Sequence, residues 1–409
     1  MRSIVGVALV PSGSYKEDAM HPVYLDNNAT TQLSAEARAA MEPYLEGQFG
    51  NPMTSHRFGA SPRAAVEAAR EDVAALVGAK TSECEVVFGG GGTEAVNHAV
   101  KGLAFRALAN GRAGGRRRLV LGGIEHYAVT KAARWLAERF GFELVEVAPG
   151  RDGVVPVDSF VAELDAETTA LAALQWANNE VGAAQPVREV GRVCREMSIP
   201  FVCDAVQAAG KLDLSNAFAA ADAWAFSAHK LHGPKGVGAL VLKKGLEIDP
   251  LLHGASQESG HRAGTHNVAG IVGFAAAARV ARRDVSAEAS RLGALRDLLW
   301  KQLQERIDRV SWNGQGAPLL PNTLNASFDG CPSQSMCDEM DRRGFAISAG
   351  AACLSGDPKP SHAILAMGLS ESRALTSVRV SLGHETTRHD VLAAVDAFAE
   401  SARRIRGSF

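Results

Sequence analysis

The sequence predicts an α/β protein: a mostly parallel seven-stranded sheet covered by helices on both faces, with a smaller α+β C-terminal lobe. Three observations predict it. Apolar, β-rich runs alternate with segments of helical period as far as residue 242. After Gly270 the alternation gives way to long helices and a few short strands. Finally, 409 residues at 46% hydrophobic and 22% charged suffice for a large buried core.

Taken in order, strands are expected at 86–88, 119–121, 144–147, 171–176, 201–203, 223–226 and 237–242. Helices are expected between them at 62–77, 93–108, 129–140 and 187–197; in the last, Val187, Val190, Val193, Cys194 and Met197 share one stripe. Strands that are apolar throughout belong in a sheet covered on both sides, and ligands of such sheets gather beyond the strands' carboxyl ends. Past Gly270 the spacing predicts helices over 271–282 and 287–306, strands at 325–328, 346–348 and 377–381, and a closing helix over 389–405. Residues 1–19 read as an N-terminal extension, expected to be disordered or the product of an upstream start. The apolar run 4–10 within it is too short to span a bilayer and lacks a convincing cleavage site.

Forty-three basic against 45 acidic residues give a formal charge of −2, which offers no global field for nucleic acid or an anionic membrane. The basic stretch 111–118 reads as a solvated surface loop. The six cysteines include no CxxC pair, which argues against a disulfide framework or a zinc ribbon, so no metal is expected and a reducing cytoplasm fits best.

The densest chemical signal is Ser227-Ala228-His229-Lys230-Leu231-His232-Gly233-Pro234, directly after an apolar strand. Lys230 is either a surface lysine in a loop or an amine that forms a Schiff base beside groups able to grip a phosphate. Upstream, Phe201-Val202-Cys203-Asp204 ends a buried strand on a carboxylate. Taken alone, Asp204 reads as a helix cap; beside the lysine motif it reads as the partner of a protonated pyridine nitrogen. The run Gly89-Gly90-Gly91-Gly92-Thr93 opens a helix whose N–H groups can cradle a phosphate, and His126 lies at another strand end, able to stack on a ring and move protons. Asn178-Asn179-Glu180-Val181-Gly182 stands at a third strand end.

Together these segments resemble the pyridoxal-phosphate-dependent cysteine desulfurases of the NifS/IscS type, in the class V aminotransferase family and the fold type I transferases. The resemblance runs from about Val23 to Ile405. It is carried by Tyr24-Leu25-Asp26-Asn27-Asn28-Ala29-Thr30-Thr31, Gly50-Asn51-Pro52, Gly91-Gly92-Thr93-Glu94-Ala95, Asn178-Asn179-Glu180, Asp204-Ala205-Val206-Gln207, Ser227-Ala228-His229-Lys230, Arg262-Ala263-Gly264-Thr265, Ala352-Cys353, Pro360-Ser361-His362 and Arg379-Val380-Ser381.

The resemblance implies that Lys230 holds pyridoxal 5'-phosphate, Asp204 meets the ring nitrogen, and Gln207 and Asn178 contact the ring hydroxyl side. It implies that His126 stacks on the ring and that Gly92, Thr93, Ser227 and His229 bind the phosphate, with Thr265 reaching it from the neighbouring subunit of a homodimer. Arg379, with Asn28 and Asn178 nearby, would hold the carboxylate of L-cysteine; a buried arginine tying down a C-terminal strand is the plainer reading of Arg379. Cys353, in a run of small residues, glycine and proline that suits a mobile loop, would take the sulfur as a persulfide and leave alanine. The implied organisation is an arm over 20–38, a large cofactor domain over 39–282, and a small domain over 283–409 carrying Cys353.

A sulfur-acceptor protein, first of all an iron–sulfur scaffold, is the expected partner, with tRNA or DNA thiolation as alternatives. Selenocysteine lyase, cysteine β-lyase and a degenerate scaffold of a sulfur-transfer complex are the rival functions. Ala349 and Ala351 stand where the family commonly has serine, and Ser259 where it has arginine. Gly89 and Val96 replace commoner polar residues near the glycine turn.

Overall fold

The computed structural model describes residues 22–109, 115–349 and 360–407. Its strands, in chain order, are β1 (Val23–Tyr24), β2 (Cys84–Gly89), β3 (Arg118–Gly122), β4 (Glu143–Val147), β5 (Thr169–Ala173), β6 (Phe201–Asp204), β7 (Ala223–Ser227), β8 (Gly238–Lys243), β9 (Val310–Trp312), β10 (Thr323–Phe328), β11 (Phe345–Ala346) and β12 (Ser377–Ser381). Seven form one sheet in the order β2-β8-β7-β6-β5-β3-β4. Only β8 runs against its neighbours; the other pairings are parallel. The expected mostly parallel seven-stranded sheet is therefore present; its inner strands β5, β6 and β7 are buried throughout, while the edge strand β4 is partly open to solvent. Along β2, Val86 and Phe88 face one core while Val87 faces the other. Because β8 is antiparallel to both β2 and β7, the carboxyl ends of β2, β3, β5, β6 and β7 all lie on one edge.

The helices Gly92–Ala109, Tyr127–Phe140 and Val187–Glu196 stand within two residues of their expected bounds. Another starts earlier than expected. Its expected start is Pro62, but the helix runs Arg57–Ala74 from an N-cap at His56, with Pro62 inside it and buried. The two helices expected on either side of 282–287 are one helix, Val268–Arg306. Arg283 and Asp284 interrupt the apolar stripe yet pair with each other on the surface, so the charges do not break the backbone ladder. The first half of this helix packs Ile271, Phe274, Ala275 and Ala278 into the core of the large sheet. The second half packs Leu292, Leu299, Trp300 and Leu303 into a second core, with β10, β12 and the helix Arg388–Gly407. Both halves thus have a buried face, which stabilises a helix this long.

In the second lobe β9, β10 and β12 form an antiparallel sheet in the order β12-β10-β9. The strand expected at 346–348 is shorter and earlier, as β11, and it pairs with β1. Leu25, just after β1, is fully buried in the second core, so the N-terminal segment crosses from that lobe to the site. The basic stretch is less free than expected. Arg116 and Arg117 bond the carbonyls of Ser198 and Phe140, and Arg118 pairs with Glu143 and Glu163; residues 110–114 lie outside the described residues. No helix among the described residues is long and apolar enough to cross a membrane.

Candidate active site

The carboxyl edge of the sheet borders a cavity of about 430 Å³, lined by the glycine turn after β2, His126 after β3, Gln175 and Asn179 after β5, Asp204 to Gln207 after β6, and Ser227 to Lys230 after β7. The topology explains the convergence: parallel strands deliver every following loop to the same edge. Eight of the expected residues line this cavity together: Gly92, Thr93, His126, Asp204, Gln207, Ser227, His229 and Lys230.

Lys230 sits in a single turn of 3-10 helix after β7. Its Nζ donates to the carbonyls of Asn28 at 2.6 Å and Ala29 at 2.8 Å. Burial, then the nearby Arg379 guanidinium, lowers its pKa to about 8. An amine so placed is deprotonated far more readily than a surface lysine, which favours attack on a carbonyl.

Asp204 is the last residue of β6, 8% exposed, with Oδ1 accepting from the Val206 N–H at 2.9 Å. Burial raises its pKa, opposed by His126 and Lys230. A carboxyl with one hydrogen bond at a cavity wall calls for a cation or N–H donor facing it. His126 caps the helix Tyr127–Phe140, and its Nδ1 accepts from the Ala128 N–H at 3.1 Å. In the neutral ring the proton therefore resides on Nε2. Burial lowers the His126 pKa, which keeps the ring neutral.

The glycine turn is shaped by close packing. Gly91 takes φ +141° and Gly92 begins the helix; a Cβ on Gly92 would come within 2.7 Å of Val206 and 3.2 Å of Ser227. A Cβ on Gly238 would come within 2.6 Å of the Gly91 backbone. Thr93 and Ser227 border the cavity at the helix N-terminus, which suits an anionic group. His229 bonds Thr30 Oγ1 through Nδ1 at 3.0 Å, and burial, then Lys230, holds its pKa down to about 4. Amine, buried carboxyl, neutral histidine and anion cradle together fit pyridoxal phosphate.

Arg379, on β12, is 5% exposed and donates to Asp26 Oδ1 at 2.6 Å and to the Asn179 carbonyl at 3.1 Å. Its Nε is buried without a partner among the described residues. The structural tie and a spare donor coexist in this residue.

Other expected residues stand apart from the cavity wall. The Asn28 side chain bonds Asn179, Thr323 and Asn322, and its main-chain carbonyl is what meets Lys230. Asn178 caps its own turn, with Oδ1 accepting from Glu180 and Val181 and Nδ2 donating to the Ile124 carbonyl; its neighbour Asn179 borders the cavity. Thr265 is exposed and lies outside this cavity. Cys353 lies outside the described residues. The chain on either side of it is anchored: Ser348 pairs with Arg379, and the Ser361 hydroxyl donates to Glu180 Oε2 at 2.5 Å.

Cys203 and Cys194 are fully buried and burial raises their pKa values, that of Cys194 to about 12; burial and then Glu71, Glu83 and Glu85 push Cys84 to about 11. Sequence reasoning missed Lys211, a buried lysine four residues beyond Gln207; its signal was a cation inside the apolar run Ala208-Ala209-Gly210-Lys211-Leu212. It also missed the buried cluster of Glu258, Arg70 and His266 behind the glycine turn, whose partners are too far apart in the chain to read as a unit.

Residues 23–393 match the Aminotransferase class-V family. A protein named cysteine desulfurase IscS, from Dictyoglomus turgidum, is 38% identical over 94% of this chain and 95% of its own. Among solved structures, one titled NifS-like protein superposes with a TM-score of 0.84 at 32% identity, covering 93% of this chain and 98% of its own. Another, titled SspA in complex with cysteine, has a TM-score of 0.75 at 31% identity and covers 88% of this chain and 98% of its own.

Proposed function

This chain belongs to the class-V aminotransferase family, among its pyridoxal-phosphate-dependent cysteine desulfurases, and from that premise we propose how its residues take sulfur from L-cysteine and release L-alanine. The observation that carries the proposal is the convergence of Lys230, Asp204 and His126 on one cavity beside the Gly91–Thr93 cradle. That a solved neighbour of this chain is titled as a complex with cysteine supports the choice of substrate.

Lys230 would hold the cofactor through its amine, Asp204 would face the ring nitrogen, and Gln207, with Asn178 behind it, the ring hydroxyl side. His126 would lie against the ring, while Gly92, Thr93, Ser227 and His229 receive the phosphate. When bound, pyridoxal phosphate supplies a carbonyl that condenses with amines and a ring that accepts electrons from the substrate's Cα. Arg379 would orient the substrate carboxylate through the donor it has free, with Asn28 and Asn178 behind the cavity wall holding Asn179 and the turn that follows it. The free Lys230 amine would remove the Cα proton, a task that its pKa of about 8 suits near neutral pH. His126, with its proton on Nε2, would donate a hydrogen bond to the sulfur, which keeps its own thiol proton. Cys353 as thiolate would then attack that sulfur: the new S–S bond forms, the C–S bond breaks and its electron pair stays on the carbon fragment, which takes up one proton at Cβ and regains the one lost from Cα to leave as alanine, with the persulfide on Cys353.

We also propose a homodimer in which Thr265 reaches the phosphate held by a neighbouring copy. Its exposed position supports this, as does the apolar surface of Leu45, Phe49, Met53 and Phe58, which are 66%, 74%, 50% and 52% exposed. A reducing cytoplasm suits five described cysteines that are all free thiols. The acceptor of the sulfur is proposed to be an iron–sulfur scaffold, a reading supported by relatives named IscS.

The test is a product assay on purified protein with pyridoxal phosphate and L-cysteine. Alanine formed in step with transferable sulfur is the expected result. Pyruvate in place of alanine favours a β-lyase, turnover confined to selenocysteine favours a selenocysteine lyase, and no visible cofactor band with no product favours a scaffold.

A further inference from the structure

The turn after Asp204 buries an amine that the mechanism leaves unused. Gly210 takes φ +75°, where a Cβ would lie 3.1 Å from Ala281 and 3.2 Å from Leu231, and this bend returns Lys211 beneath Gln207. Lys211 is 8% exposed. Its Nζ donates to the Gln207 carbonyl at 3.2 Å and to Gln207 Oε1 at 2.8 Å, and no carboxylate among the described residues forms an ion pair with it. Burial, then the charges of Lys230 and Arg379, lowers its pKa to about 7. Charged or neutral, the amine still donates.

That donor decides which way the amide points. An ammonium has no acceptor and the Asn28 carbonyl has no donor, so with Lys211 charged the Gln207 oxygen faces it and Nε2 is left on the far side. There Nε2 donates to the Asn28 carbonyl at 3.0 Å, the same oxygen that accepts from Lys230 at 2.6 Å. A buried lysine without a counter-ion costs free energy that an apolar residue would not. The structure spends that cost on the orientation of one amide. We propose that Lys211 is a positioning residue: by binding the amide oxygen of Gln207 it presents the amide nitrogen, and not the oxygen, toward Lys230 and the cofactor cavity. The role rests on the reading that Gln207 faces the ring hydroxyl side of bound pyridoxal phosphate. A donor held there stabilises the anionic ring oxygen and lowers the pH at which the bound group loses its proton.

The experiment is a pH titration of the visible band of the holoenzyme, comparing wild type with Lys211→Met, Gln207→Ala and the double variant. Lys211→Met and Gln207→Ala are each expected to move the midpoint upward by about one pH unit, a tenfold change in proton affinity, and the double variant no further than Gln207→Ala alone. Lys211→Arg, which keeps its donors and adjoins a cavity of about 940 Å³, is expected to restore the wild-type midpoint. Lys211→Gln, polar but one atom shorter, is run beside Lys211→Met so that a failure of the latter to fold does not decide the matter; it too is expected to shift. Additive shifts, or Lys211 variants that titrate as wild type, overturn the positioning role. A wild-type protein that shows no visible band with pyridoxal phosphate overturns the cofactor reading and this role together.

Discussion

Replacing Glu258 by Gln tests whether the glycine turn is held in place from behind. Glu258 is 6% exposed and receives Arg70 on both oxygens at 2.7 and 2.8 Å, His266 at 2.6 Å and the Phe88 N–H at 2.7 Å. Phe88 is one residue from the turn, so this carboxylate joins the segment 257–266 to the strand from which Gly90 and Gly91 depart. Burial by itself would raise the Glu258 pKa; the hydrogen bonds from Arg70 and His266 outweigh it and bring the value from 4.5 down to about 2. At about 1.4 kcal/mol per tenfold change in proton affinity, that fall corresponds to roughly 3 kcal/mol of stability. The folded value is the lower one, so the contribution is fully present above pH 4.5 and is lost as the pH falls toward 2. Removing one partner of a buried pair costs about 3–5 kcal/mol in general, which agrees. Glu258→Gln is therefore expected to lose about 3 kcal/mol at pH 7 and to weaken phosphate binding at the turn. Urea unfolding of the apo-protein, followed by the fluorescence of its five tryptophans, of which Trp224 is buried in β7, measures the loss. A loss below about 1 kcal/mol at pH 7, or a variant as acid-sensitive as the wild type between pH 4.5 and 2, refutes the reasoning.

The lowered pKa of Lys230 predicts that the apo-protein captures pyridoxal phosphate faster as pH rises through about 8, because the free amine is the nucleophile; growth of the visible band measures it, and a rise deferred to above pH 10 contradicts it. Asp204→Asn is expected to retain cofactor but to slow alanine formation by about 10²-fold or more, as expected when a buried charge opposite the ring nitrogen is removed; steady-state kinetics decide. Cys353→Ser is expected to keep the visible band and lose net sulfur transfer, which separates the sulfur carrier from the cofactor site.

The parts of this protein that were legible in the sequence are those whose signal is local. β2, β3, β6 and β7 announce themselves as short apolar runs, and Asp204, Lys230 and His126 each stand at the end of one or a few residues beyond it. A parallel sheet needs nothing more to bring them together, since its topology collects every such end on one edge. What escaped is non-local. The Val268–Arg306 helix divides on the page because its apolar stripe serves two cores in turn, and the charges at Arg282, Arg283 and Asp284 sit where one core hands over to the other. Asn28 reads as a substrate contact, yet its side chain is consumed by Thr323 and Asn322 nearly three hundred residues away, while its carbonyl meets Lys230. Lys211 escaped because a lysine is ordinarily a surface residue, and only the bend at Gly210 turns it inward. The Glu258 cluster escaped because Arg70, Phe88 and His266 become neighbours only once β2 stands at the sheet edge.

The central claim is that this chain carries sulfur from L-cysteine on one of its own thiols. Mass spectrometry of the holoenzyme after brief exposure to L-cysteine, with alkylation and digestion, examines it directly. The account predicts one additional sulfur on the peptide that contains Cys353 and none on those containing Cys84, Cys194, Cys203, Cys331 or Cys337. An unmodified Cys353 peptide from protein that is releasing alanine contradicts it.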